Sequence, residues 1–268
     1  MSRVKFKQKV CLISGGSSGI GLAIAQSLKN NGYEVISFSK SKKVIADVTN
    51  DKDISRVVNY TLKKFGRIDV LINAAGVFEP FGNFEEVPFK SHLKPLEINL
   101  FGTMRVCHFV IPIMKKNKFG RIINFSGGGV GGDIIPVNSS SYFTSKAAIA
   151  VFTEILAYEL QKFNITVNAI LPGQILTKST KKTLNLSKEQ LGPVLWEATQ
   201  NLKKTGGGST EPAINLINFL ISEKASHVSG KLLSAKWDSV DKLMDLKKQD
   251  ADYKYTLRRI EGNLYKKV

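Results

Sequence analysis

The sequence predicts an α/β fold: a single doubly wound parallel sheet with helices on both faces, plus a C-terminal extension. Short apolar, β-rich runs recur along the first two-thirds of the chain, longer helical patterns separate them, and a glycine-rich turn joins the first run to the first helix. Strands that alternate with helices pair in parallel through right-handed crossovers, and the ligands of such sheets sit beyond the carboxyl ends of the strands.

Each element has its own warrant. Val10 to Ser14 reads as a buried strand, and Ile20 to Asn30 as a helix with Ile20, Ala23, Ile24 and Leu28 on one face. Glu34 to Phe38 and Val44 to Ala46 are the second and third strands. The amphipathic stretch Asp51 to Phe65 precedes a strand over Ile68 to Asn73. A long helix over Leu96 to Lys116 leads to a strand over Arg121 to Ser126; helix Ser141 to Lys162 leads to strand Ile165 to Ile170. Helix Glu211 to Ser222 and strand Lys231 to Ser234 complete this Rossmann-type pattern. Two segments break the rhythm. Lys178 to Ser209 has weak periodicity and ends in glycines, as a lid would. Asp238 to Val268 is a polar tail with a Tyr253-to-Ile260 segment too aromatic for solvent filler.

Composition removes several function classes. The 268 residues are 43% hydrophobic and 23% charged, which suits one globular domain and excludes a disordered, collagen-like or coiled-coil chain. Cys11 and Cys107 lie in apolar stretches, so a disulfide framework is excluded and a reducing compartment expected. His92, His108 and His227 are isolated, so no metal is expected. The basic start is followed only by the apolar run Val10 to Ile13, too short for a signal peptide or membrane span; a cytoplasmic location follows as the expectation. The net charge is +17, with no block of five or six basic residues. It reads as a lysine-rich solvated surface without specific nucleic-acid binding, or as attraction of an anionic substrate.

The turn Ser14-Gly15-Gly16-Ser17-Ser18-Gly19-Ile20-Gly21 lets backbone approach a pyrophosphate that the helix N-terminus then stabilises. The second strand ends in Ser39-Lys40. An acidic residue there would bind the adenosine ribose and repel a 2′-phosphate; a hydroxyl beside Lys40, Lys42 and Lys43 suits NADP better, with NAD the alternative. Tyr142 and Lys146 lie one helical turn apart, where an ammonium lowers the phenol's pKa. Asn73-Ala74-Ala75-Gly76, Asn99-Leu100-Phe101-Gly102-Thr103 and Pro172-Gly173-Gln174-Ile175-Leu176-Thr177 follow in order.

Together these motifs, spanning Val10 to Ser234, resemble the short-chain dehydrogenase/reductase family. The resemblance implies that Tyr142 exchanges a proton with the substrate oxygen as hydride is transferred, and that Lys146 lowers the tyrosine pKa and holds the nicotinamide ribose. It implies that Asn99 positions a relay water. Ser14, Gly15, Ser17, Ser18, Gly19, Ile20 and Gly21 would meet the pyrophosphate; Asp47 and Val48 the adenine; Asn73, Ala74 and Gly76 the adenine ribose; Pro172, Gly173, Ile175 and Thr177 the nicotinamide. A helix that relatives carry between the second and third strands is missing. Relatives also carry Asn-x-Ser-Ser where this chain has Asn124-Phe125-Ser126-Gly127-Gly128-Gly129. Ser126 is expected to serve as the catalytic serine through a rearranged loop, with glycine N–H groups or Ser139 to Ser141 as the alternatives.

The expected activity is NAD(P)-dependent reduction of a carbonyl, or oxidation of the alcohol. The variant loop, Ser234 to Asp238 and the tail resemble a subgroup acting on nucleotide-linked sugars, whose diphosphate would meet Lys178, Lys181, Lys182, Lys203 and Lys204. A 3-oxoacyl-carrier-protein-type reductase and a non-catalytic cofactor-binding module are the alternatives. Residues 1–237 form the catalytic domain, with the lid at about 178–209 and the tail at 238–268. A homodimer or homotetramer through the two long helices is expected by resemblance.

Overall fold

The computed structural model describes residues 8–41, 44–131, 136–246 and 254–257. Its centre is a seven-stranded parallel sheet: β1 (Val10–Ser14), β2 (Glu34–Ser39), β3 (Val44–Ile45), β4 (Val70–Asn73), β5 (Gly120–Phe125), β6 (Ile165–Leu171) and β7 (Leu232–Ser234), in the order β3-β2-β1-β4-β5-β6-β7. The central strands are apolar almost throughout because both faces are covered. Leu12, Leu71, Ile122 and Val167 turn to one face, towards α2 (Asp51–Phe65), α4 (Gly102–Asn117) and α5 (Ser140–Leu160). Cys11, Ile13, Ile72, Ile123 and Ile170 turn to the other, towards α1 (Gly19–Asn30) and α8 (Glu211–Leu220).

The link from β2 to β3 holds no helix among the described residues. The chain folds back at once, pairing Phe38 with Val44 and Ser39 with Ile45. The long helix begins earlier than periodicity suggests. It runs as α3 (Phe89–Pro95), a π-helical turn over Leu96–Phe101, then α4. Pro95 cannot donate a backbone hydrogen bond, which marks where the regular ladder gives way. By length and composition alone the run Phe89–Asn117 is apolar enough to cross a membrane. Its inner stripe, Val106, Val110 and Met114, instead lies in the core against the sheet.

The segment expected as a lid is more ordered than its pattern promises. It contains α6 (Lys178–Lys181) and α7 (Lys188–Thr205), each opened by a reciprocal capping box, Thr177 with Thr180 and Ser187 with Gln190. Gly192 breaks α7 with φ of 71°, where an added β-carbon would stand 2.6 Å from Val137 Cγ2. The tail is not loose polar chain in its described parts. Leu243 of α9 (Val240–Met244) is wholly buried, and the Tyr255 carbonyl accepts from Leu232 N–H at 2.7 Å, covering the β7 edge. Tyr253, Arg258 to Ile260, Lys42 and Lys43 lie outside the described residues.

Candidate active site

The carboxyl ends of β1, β4, β5 and β6 converge on one crest. At its β1 side, Gly15 has φ of +73°, and a β-carbon there would stand 2.6 Å from Ala75 N. One at Gly21 would stand 2.4 Å from the Gly15 carbonyl oxygen. Only glycine lets this turn lie so low, below the start of α1. Ser18, the N-cap, makes no side-chain capping bond, and the first turn of α1 holds no acidic residue. Its leading N–H groups therefore suit an anion, and the cradle fits a dinucleotide pyrophosphate. Ser14 Oγ is turned inward and accepts from Ala75 N–H at 3.4 Å. Ser17 and Ile20 keep partial exposure at the rim.

At the adenosine end, Ser39 Oγ accepts from Ser41 N–H at 3.3 Å. Lys40 Nζ meets Asp47 Oδ2 at 2.6 Å, an exposed pair that a phosphate can reopen. Burial works to raise the Asp47 carboxyl, but Lys40 and Thr49 hold it below its ordinary value. Val48 packs on Gly102, where a β-carbon would stand 2.7 Å from Val48 Cγ2. Asn73 Nδ2 donates to Asn124 Oδ1, and Asn124 Nδ2 to Thr153 Oγ1, each at 2.9 Å, an amide chain tying β4 to β5 and α5. Ala74 packs against the core on the α1 and α8 face of the sheet.

α5 carries Tyr142 and Lys146 to the middle of the crest. Lys146 Nζ donates to the Phe125 carbonyl at 2.8 Å and lies 5.7 Å from the centre of the Tyr142 ring. It is also beside Gly76, whose added β-carbon would stand 3.8 Å from it. Burial brings the Lys146 ammonium down to about 8 and pushes the Tyr142 phenol up to about 12. The cause is the same for both groups, since burial strips water from each charged form.

Asn99 and Ser126 are both held by hydrogen bonds within the protein. Asn99 is buried in the π-helical turn. Its Oδ1 accepts from Val77 N–H at 2.8 Å, while its Nδ2 donates to the Val77 carbonyl and to Ser145 Oγ, both at 3.1 Å. Its amide clamps the loop after β4 to α5 and leaves one lone pair of Oδ1 for a further donor. Ser126 is buried, 3% exposed, and its Oγ donates to the Lys146 backbone carbonyl at 3.0 Å. The residue facing the phenol is Gly127, whose added β-carbon would stand 3.3 Å from Tyr142 Cε1. Among the stand-ins, Ser141 Oγ is bonded to His92 Nδ1, and Ser139 Oγ is buried without a partner.

The loop after β6 closes the crest. Ile175 is buried, Pro172 and Gly173 precede it, and the Thr177 methyl would be 3.2 Å from a β-carbon on Gly19, joining the lid base to the glycine turn. Glu79 clips the lid to the body: Oε2 meets Lys182 Nζ at 3.0 Å and Oε1 meets Lys94 Nζ at 2.5 Å. Glu79 and its aromatic neighbours Phe78 and Phe81 escaped the sequence reading. Their signal was a Val-Phe-Glu-Pro-Phe run directly after Gly76.

A family model described as short chain dehydrogenase matches residues 9–187. The chain belongs to the short-chain dehydrogenase family. It is therefore an NAD(P)-dependent oxidoreductase acting on a small-molecule carbonyl or alcohol. This dehydrogenase is 32% identical over 248 residues to the 3-oxoacyl-[acyl-carrier-protein] reductase FabG of Buchnera aphidicola subsp. Baizongia pistaciae, covering 86% of this chain and 96% of that protein. The fold matches the ligand-free aldohexose dehydrogenase of Thermoplasma acidophilum with a TM-score of 0.74 and 29% identity, over 85% of this chain and 92% of that one. It matches an actinorhodin polyketide ketoreductase holding NADPH with a TM-score of 0.75 and 26% identity, over 85% and 95% of the two chains.

Proposed function

We propose that this dehydrogenase works as an NADPH-dependent carbonyl reductase with Tyr142 as the proton donor. The observation that carries the reading is the Tyr142–Lys146 pair at the strand ends, the amine buried and the phenol ring half-buried, with the phenol pushed up to about 12 and so protonated when a carbonyl arrives. The reduced dinucleotide supplies the hydride. With hydride so supplied, the Tyr142 hydroxyl would give its proton to the substrate oxygen, the carbonyl would become an alcohol, and water would reprotonate the phenolate left on Tyr142. The Lys146 ammonium stabilises that phenolate, and its bond to the Phe125 carbonyl fixes where the charge sits. Asn99 acts through position, holding the Val77 loop against α5.

Preference for NADP over NAD is supported by the hydroxyl of Ser39 where a carboxylate would exclude a 2′-phosphate, and by Lys40 beside it. The actinorhodin ketoreductase also holds NADPH. Exposed Val151, Ile155 and Tyr158 on α5, with Phe101 and Met104 at and beyond the π-helical turn, support assembly as a homodimer or homotetramer. Similarity to FabG supports a second reading, reduction of a 3-oxoacyl thioester carried on an acidic partner, for which the +17 chain has the charge.

Incubation with NADPH deuterated at the transferred position and a panel of ketones, aldoses and 3-oxoacyl thioesters tests the reading. Deuterium at the former carbonyl carbon of one product is expected. A cofactor that binds and is never oxidised across the panel would overturn it in favour of a non-catalytic module.

A further inference from the structure

Four aromatic rings meet beside the proposed proton donor. Phe78 lies with its ring centre 4.4 Å from that of Tyr142, Phe81 meets Phe78 nearly edge-on at 4.8 Å, and Phe143 stands 5.0 Å from Tyr142 and 6.4 Å from Phe78. All four side chains keep partial solvent contact. Rings of this size contribute most when buried, so a cluster left open at a reacting group is a surface for something to cover. The turn beside the rings carries no side chains: a β-carbon on Gly127 would stand 3.3 Å from Tyr142 Cε1, one on Gly129 would stand 2.9 Å from Phe143 Cε1, and one on Gly128 would meet no described atom within 4 Å.

Several polar side chains near the rings are already committed. Ser141 Oγ is bonded to His92, and Ser145 Oγ donates to the Tyr142 carbonyl at 2.6 Å while accepting from Asn99. Asn138 Nδ2 donates to the Glu189 carbonyl at 2.6 Å, and Glu79 neutralises both Lys94 and Lys182. A sugar held against the rings would give up water over its whole surface and recover few hydrogen bonds from the ring faces, which is the costly kind of desolvation. A flat apolar ketone gives up little and gains ring–ring contact.

We propose that the substrate is an aryl ketone, its carbonyl conjugated to or fused with an aromatic ring, and that Phe78 selects it by packing against that ring while the oxygen meets Tyr142. The site lies between the Phe78–Phe81 segment and the Gly127–Gly128 turn. This rests on the carbonyl-reductase reading and sets the sugar and thioester alternatives behind it.

The test compares kcat/KM with NADPH for 1-tetralone, its saturated counterpart 1-decalone, an aldose and an acetoacetyl thioester. The 1-tetralone value is expected to exceed that for 1-decalone about tenfold or more, and the aldose by a wider margin. Phe78→Ala should collapse the tetralone-to-decalone ratio towards one, and Phe78→Leu, which keeps the apolar volume and the fold, should lower it as well. An aldose or thioester turned over faster than 1-tetralone, or a ratio unchanged in both variants, would overturn the proposal while leaving the reductase intact. Saturation-transfer NMR reads binding separately. Signals from the tetralone ring that vanish in Phe78→Leu, with no NADPH oxidised by any substrate, would uphold the aromatic site and sink the reductase reading instead.

Discussion

Gly127 lies against the face where Tyr142 does its chemistry: a β-carbon on it would stand 3.3 Å from Tyr142 Cε1 and 3.0 Å from Lys146 Cγ. The position that would bring a second hydroxyl to the substrate oxygen carries no side chain. Ser126, one residue earlier, spends its hydroxyl on the Lys146 carbonyl. A pair of variants separates crowding from hydrogen bonding. Gly127→Ala measures crowding alone, and Gly127→Ser adds a donor at the same cost in space. Single donors of this kind are worth about two to three powers of ten elsewhere, so the serine variant should exceed the alanine variant in kcat by about tenfold or more. Equal kcat values would mean that the oxygen is already held by other donors.

Under the proposed NADPH preference, the end of β2 sets the cofactor. Ser39→Asp places a carboxylate where the adenosine ribose lies and beside the Lys40–Asp47 pair, so it should repel a 2′-phosphate and accept a ribose hydroxyl. The ratio of kcat/KM for NADPH over NADH should fall about a hundredfold, roughly 2.7 kcal/mol by the usual conversion. An unchanged ratio would place the 2′-phosphate elsewhere.

Much of this site was legible before any coordinates. The glycine turn and the Tyr142–Lys146 pair are local, so their spacing states their geometry, and the apolar runs of β1, β4, β5 and β6 mark buried strands directly. What the sequence concealed depends on contacts between distant residues. Nothing local says that Phe78 meets Tyr142 or that Glu79 reaches Lys182. Past the end of β5 the strand's alternation stops, so the orientation of Ser126 against Gly127 could not be counted off. The helix in the lid was hidden by Gly192 and Pro193, which interrupt its period, and the π-helical turn by Pro95. Spacing shows the amine near the phenol but not the burial that acts on the phenol.

The Glu79 clip should govern the lid. Burial works to raise its carboxyl, but Lys94 and Lys182 hold it below the ordinary carboxylate range. Its folded value is depressed, so the clip is intact at neutral pH and lost only as pH falls through that lowered value. Partly exposed pairs contribute less than about 1 kcal/mol each, so Glu79→Gln should barely move Tm. Amide exchange across α6 and α7 should nevertheless quicken, and KM should rise a few-fold. Unaltered exchange in those helices would show that the lid is held by packing alone.

The pH profile follows from Lys146. Burial brings its ammonium down to about 8, so it is charged below that value and neutral above it. The charged form stabilises the phenolate left after proton donation. For reduction, kcat/KM should therefore be level through neutral pH and fall with a single-proton slope above about 8. A profile level to pH 10 would remove the ammonium from the account.

The central claim, that the Tyr142 hydroxyl delivers the proton, is tested most directly by Tyr142→Phe, which deletes one oxygen from a ring that Phe78 and Phe143 keep in place. NADPH affinity should stay within a few-fold of the parent while kcat for ketone reduction falls by three or more powers of ten. A variant that binds NADPH normally and reduces its ketone at near-parental kcat would contradict the assignment.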